Sequence, residues 1–188
     1  MLFAQEKKPK YDRKEEVLFD GKRYKKYNNY VTMGGGYLIS NIRDDAQKNI
    51  GFDFQFHIRR QQFQTGLNMS GPEFLSNNNI QFHSGYGLRF EKNRSNLSVY
   101  GGLTYFYGVL TVSDTAGIIP IYYQGVGAYF SAQAITKFTY DIGGGLELFG
   151  EYSKKQKIIG LKFILFFSGA YRGAKKNFNP NVRSENNK

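Results

Sequence analysis

Long stretches of two-residue alternation dominate the middle of the chain and leave it little choice of architecture. Eight of them occupy approximately residues 29–40, 49–59, 62–70, 79–91, 96–108, 121–135, 138–152 and 157–167. Period two is the mark of a β-strand with two unlike faces. The segments run about 9–15 residues, well beyond the five or six usual for a soluble strand, and match the roughly 9–11 that a tilted strand needs to cross a bilayer.

The faces separate cleanly in most segments. Phe52, Phe54, Phe56 and Ile58 oppose Asp53, Gln55, His57 and Arg59; Ile159, Leu161, Phe163, Leu165 and Phe167 oppose Lys162. Leu97, Val99, Leu103, Tyr105 and Tyr107 stand against Ser98, Tyr100, Gly102, Thr104 and Gly108, and the fourth and seventh segments repeat the pattern. The sixth does not fix its faces. Phe and Tyr supply 32 of 188 residues and Gly 22, a blend of β-formers and permissive residues that suits an all-β chain. Mean hydropathy is −0.51 and no run of 18 apolar residues occurs, so a bundle of membrane helices is excluded. The chain has no Cys, which removes disulfides and thiolate chemistry.

The expected fold is a closed, eight-stranded, antiparallel up-and-down transmembrane β-barrel over residues 29–167. Connectors near 60–61, 92–95 and 136–137 are short, those at 41–48, 70–78 and 109–120 are long, and the last, Ser153 to Gln156, is short and departs from the alternation. Outer-membrane barrels place short turns on the periplasmic side and long loops outside. An even strand count then puts both termini in the periplasm. A soluble, lipocalin-like barrel, with the aromatic face turned inward around a ligand, is the competing reading. Strand length, aromatic residues near strand ends and a Gly-rich polar face favour the membrane.

With these eight amphipathic strands, the loop rhythm and the aromatic last strand, residues 29–167 resemble the small outer-membrane barrels of the OmpA/OmpX type. They resemble more loosely the PorT-like barrels associated with protein secretion. Such families often end the last strand in an aromatic residue; Phe166-Phe167 takes that place, followed by 21 further residues. The resemblance implies an integral outer-membrane protein, surrounded by lipid, serving as a non-enzymatic structural or accessory subunit of a larger envelope complex for secretion or outer-membrane protein assembly.

If the aromatic face meets lipid, the charges of the other face share a narrow lumen. Asp53, His57, Arg59, Arg89, Glu91, Asp141, Glu147, Glu151 and Lys162 form the expected network. Both signs are present, so mutual pairing offsets a desolvation cost of several kcal/mol for each charge. Some eight-stranded barrels modify lipid A, which makes His57 and His83 the residues of an alternative, enzymatic reading. His83 and Ser84, however, are adjacent on a strand and point to opposite faces. No metal spacing, phosphate loop or cofactor motif is present, so no cofactor is expected.

Of the net charge of +11, segments 5–27 and 168–188 carry +4 each. Residues 1–4 read as the remnant of an export signal. Segments 5–28 and 168–188 read as basic periplasmic tails, the second flexible, suited to a periplasmic or cell-wall partner. Lys22-Arg23-Tyr24-Lys25-Lys26-Tyr27 interleaves basic and aromatic residues but lacks any nucleic-acid motif, so no nucleic acid is expected. Ile118, Ile119, Pro120 and Ile121, apolar for an outer loop, begin strand six or form a partner contact, and Lys175 and Lys176 in the tail are a second candidate partner contact.

Overall fold

A computed structural model describes residues 16–25, 27–43, 45–58, 61–74, 78–114 and 117–174. Two short strands come first, β1 (Glu16–Phe19) and β2 (Lys22–Lys25). Eight long ones follow: β3 (Tyr30–Ser40), β4 (Gln47–Ile58), β5 (Gln61–Gly71), β6 (Asn79–Glu91), β7 (Ser95–Asp114), β8 (Gly117–Lys137), β9 (Ile142–Tyr152) and β10 (Lys157–Ser168). A last short strand is β11 (Tyr171–Ala174). Strands β3 to β10 pair each with the next, all antiparallel, and β10 closes on β3.

The closure has a definite stagger. Register partners lead from Tyr30 through Gln55, Gln64, Gly85, Gly102, Tyr129, Glu151 and Ile158 back to β3 at Ser40, ten residues above the start. A stagger of this size tilts the strands by roughly 40°. Eleven residues at that tilt rise about 28 Å, close to the thickness of a hydrocarbon layer.

The alternating faces fall on opposite sides of the wall. Ile159, Leu161, Phe163, Leu165 and Phe167 are exposed outward while Ile158, Lys162, Ile164 and Phe166 are buried in the lumen. The outward surface of the other strands is likewise apolar: Phe52, Phe82, Leu88, Phe90, Leu97, Leu103 and Leu148 are all exposed. Water penalises such a surface at about 25 cal/mol per Å², and hydrocarbon does not. A lipocalin-like arrangement is therefore overturned, since the apolar face is outside. The sixth segment also acquires its faces: Tyr129, Ser131, Gln133, Ile135 and Lys137 point inward, with Val126 and Phe130 outward.

Three boundaries differ from the sequence expectation. Strands β7 and β8 run on through the presumed loop at 109–120 and pair as far as Asp114↔Gly117, so Ile118 to Ile121 are strand residues. β6 stops pairing at Gly108 and β9 at Ala128, which leaves a two-stranded hairpin standing above the rim. Residues 138–141 are a turn and not the start of the seventh strand, because the amides of Phe138 and Thr139 both donate to the carbonyl of Ile142. Finally, parts of both expected tails are folded: β1, β2 and β11 form a three-stranded sheet. Its hairpin turns at Asp20 and Gly21, whose φ of 47° and 71° suit a tight two-residue turn.

Candidate functional site

The lumen is filled in layers. Nearest the short turns, Phe19 and Tyr24 of the terminal sheet pack with Tyr140 and Ala170; Tyr24 and Tyr140 stack with centroids 4.7 Å apart. Burial there, reinforced by the nearby Glu91 carboxylate, pushes the Tyr140 hydroxyl well above its ordinary range, so it stays neutral. Directly above lies an ionic cluster. Glu91 bonds both Arg89, at 2.9 Å, and Lys137, and accepts from the Tyr27 amide at 2.8 Å. The Arg89 guanidinium lies 4.5 Å from the Tyr30 ring centroid and donates to the Asn28 carbonyl at 2.6 Å.

An apolar layer of Tyr30, Ile135, Ile164 and Phe166 follows. The Tyr30 hydroxyl is tied to Gln133 at 3.1 Å, Ser98 at 3.2 Å and Tyr100 at 3.3 Å. Mid-barrel, Lys162 stands between Glu147 at 3.2 Å and Asp53 at 3.5 Å, and donates to Asn68 at 2.9 Å. Asp53 also bonds His83 Nε2 at 2.6 Å, and the imidazole stacks on Tyr129 with centroids 4.0 Å apart. Tyr129 donates to Glu147 at 3.3 Å. Above this quartet, Leu38, Tyr129, Phe149 and Ile158 make a second apolar layer.

Room for these side chains comes from glycine on the same face. A Cβ on Gly36 would sit 2.7 Å from the Cα of Lys162. Gly34-Gly35-Gly36 and Gly143-Gly144-Gly145 thus lie in barrel strands, where a missing side chain permits close backbone approach.

Of the residues read from sequence, the structure brings Asp53, Glu147 and Lys162 together mid-lumen and places Arg89 and Glu91 at the short-turn end. Glu151 is buried near the opposite mouth, with no hydrogen-bond partner among the described residues. Asp141 is not a lumen residue. It sits in the β8–β9 turn and accepts from Ser168 Oγ and the Ala170 amide, each at 2.7 Å, which anchors the chain leaving β10. His57 lies at the end of β4, half-buried, with Nδ1 2.8 Å from Asn29 Oδ1. Arg59, Lys175 and Lys176 fall outside the described residues. Lys137, read as a connector, and Tyr30 and Tyr129 of the lumen were missed, and only inward parity on a completed strand would have found them, whereas Tyr100 had been placed on the polar face. His83 and Ser84 do point to opposite faces, with His83 buried and Ser84 exposed, so they form no nucleophile–base pair.

An apolar outer wall of bilayer height around a lumen filled with buried polar and aromatic side chains defines a transmembrane β-barrel. No family model matches the sequence, and no curated protein matches it. Solved structures do. Neisserial surface protein A, NspA, aligns with a TM-score of 0.58 at 7% identity over 75% of this chain and 97% of that one. The N-terminal β-barrel domain of Pseudomonas aeruginosa OprF gives 0.55 at 14%, over 74% and 98%. Ail, the attachment invasion locus protein of Yersinia pestis, gives 0.54 at 8%, over 77% and 97%. The fold is that of the small eight-stranded outer-membrane barrels, which the sequence pattern had indicated.

Proposed function

We propose that the protein is an integral outer-membrane barrel acting as a non-enzymatic structural or accessory subunit of a larger envelope complex, of the kind that secretes proteins or assembles outer-membrane proteins. The carrying observation is the filled lumen. Stacked apolar and ion-paired layers occupy the space within the wall, and the recess that His83 helps to line lies among the outward-facing Phe82, Leu103 and Val126, which supports a role for the outer surface. Two parts of that surface are built beyond what a barrel needs. One is the β7–β8 hairpin, where Ile119 and Ile121 are about half exposed and Ile118 and Pro120 share the same strand. The other is the terminal sheet, whose strands β1, β2 and β11 belong to the basic segments 5–28 and 168–188, suited in this reading to a periplasmic or cell-wall partner. In this reading the hairpin faces the cell exterior and the termini face the periplasm.

Purification from native membranes in mild detergent, with mass spectrometry of what accompanies the barrel, tests the reading. A stoichiometric larger partner is the expected result; a particle of barrel and detergent alone refutes it. Orientation is tested separately. The chain lacks cysteine, so Thr111→Cys on the hairpin gives a single thiol, expected to react with an impermeant maleimide on intact cells.

A further inference from the structure

The outward rows of β4 and β10 are apolar through the bilayer and end in lysine at the long-loop rim. Below Lys48 lie Ile50, Phe52 and Phe54; below Lys157 lie Ile159, Leu161 and Phe163. Neither ammonium has a carboxylate partner among the described residues. Each instead lies over an aromatic ring: Lys157 Nζ is 5.3 Å from the Tyr152 centroid, and Lys48 Nζ is 5.5 Å from that of Phe74. Phe74 descends from the β5–β6 loop and meets Tyr37 edge-on at 6.2 Å, between the two lysines. Ring faces hold a cation at the edge of hydrocarbon without neutralising it. The lumen cations bonded to Glu91, Asp53 and Glu147 are treated in the opposite way.

We propose that this flank, bounded by Lys48 and Lys157 with Tyr37, Phe74 and Tyr152 between and beside them, binds the phosphorylated headgroup of an outer-leaflet glycolipid of the lipid A class. Two ammonium groups without a carboxylate partner among the described residues meet the phosphates, and the apolar rows of β3, β4 and β10 beneath them meet the acyl chains. The proposal rests on the long-loop rim facing the cell exterior. Thiol labelling decides that point by itself, whereas lipid retention is measured in detergent, where both rims are open.

The test is native mass spectrometry of the folded barrel with bisphosphorylated lipid A, with the same lipid stripped of phosphate, and with inorganic phosphate as competitor. Retention of one phosphorylated lipid is expected, falling roughly tenfold or more in a K48Q/K157Q variant. The variant K92Q/R94Q, altered at the exposed β6–β7 turn on the opposite rim, is expected to retain lipid as the wild type does. Three outcomes overturn the proposal: equal retention of the phosphate-free lipid, wild-type retention by K48Q/K157Q, or complete displacement by millimolar phosphate, which would make the flank a free-anion site.

Discussion

Lys162→Met removes the one cation standing between two buried carboxylates. The consequences for the two acids differ. Asp53 keeps His83 at 2.6 Å, whereas among the described residues Glu147 keeps only the Tyr129 hydroxyl at 3.3 Å. The loss therefore concentrates on Glu147, left without its cation in an enclosed lumen, and breaking a buried pair in this way costs about 3–5 kcal/mol. Adding Glu147→Gln removes the stranded carboxyl group at nearly constant shape and leaves Asp53 and His83 to satisfy each other. The double variant is expected within about 1–2 kcal/mol of wild type, recovering roughly 2–3 kcal/mol of the single variant's loss. Urea titration of protein folded into phospholipid vesicles measures this, followed by the heat-dependent shift in gel mobility and by tyrosine fluorescence, since the chain has no tryptophan. A single variant within about 0.5 kcal/mol of wild type, or a double variant no better than the single, refutes the reasoning.

Three further outcomes follow from the same geometry. Glu91→Gln leaves Arg89 and Lys137 facing each other without their shared anion and weakens the contact with the Tyr27 amide; a loss of about 3 kcal/mol is expected, with faster tryptic cleavage between Lys22 and Lys25. Leu161→Arg puts a cation on the lipid face near mid-membrane, one residue from a lysine that the lumen tolerates. It should destabilise the vesicle-bound barrel by about 2–4 kcal/mol, and a neutral effect would contradict the assignment of faces. Gly21→Val forces a β-branched residue to a φ of 71°, at a cost of about 1–2 kcal/mol; hydrogen exchange should accelerate in β1 and β2 while amides of β4 to β9 keep their protection.

What was legible in the sequence was what depends on neighbouring residues along one strand. The segments at 49–59, 79–91, 96–108 and 157–167 assigned their own faces, because lipid and lumen select opposite chemistry at successive positions. Misreadings arose where a backbone turn or an edge intervened. Phe138 and Tyr140 continue the parity of Ile142, yet parity records side-chain spacing and not chain direction, and the chain turns at 138–141. Residues 109–120 read as a connector, with Ile118 to Ile121 offered as either the start of strand six or a partner contact. Strand β9 pairs with β8 only from Ala128 onward, so Pro120 sits where that edge is free and its missing N–H breaks no ladder there. The Asp20-Gly21 dipeptide between Phe19 and Lys22 did carry a hairpin signal, obscured by the surrounding charge.

The partners of the lumen charges were illegible for a different reason. Lys162 meets Asp53 across 109 positions of sequence and Lys137 meets Glu91 across 46, and only the ten-residue stagger decides which inward residues share a level. That dependence also gives the pairs a structural consequence. Lys162 is the register partner of Glu147 on β9 and of Gly36 on β3, where the barrel closes. A slip of β10 by two residues would keep every apolar side chain on the lipid face, so lipid alone cannot oppose it. It would, however, set Lys162 opposite a neighbour of Glu147 two positions away, Gly145 or Phe149 in β9, and leave the carboxylates without their cation. Alternation thus fixes which face is outward, and the buried ion pairs discriminate among the registers that alternation permits.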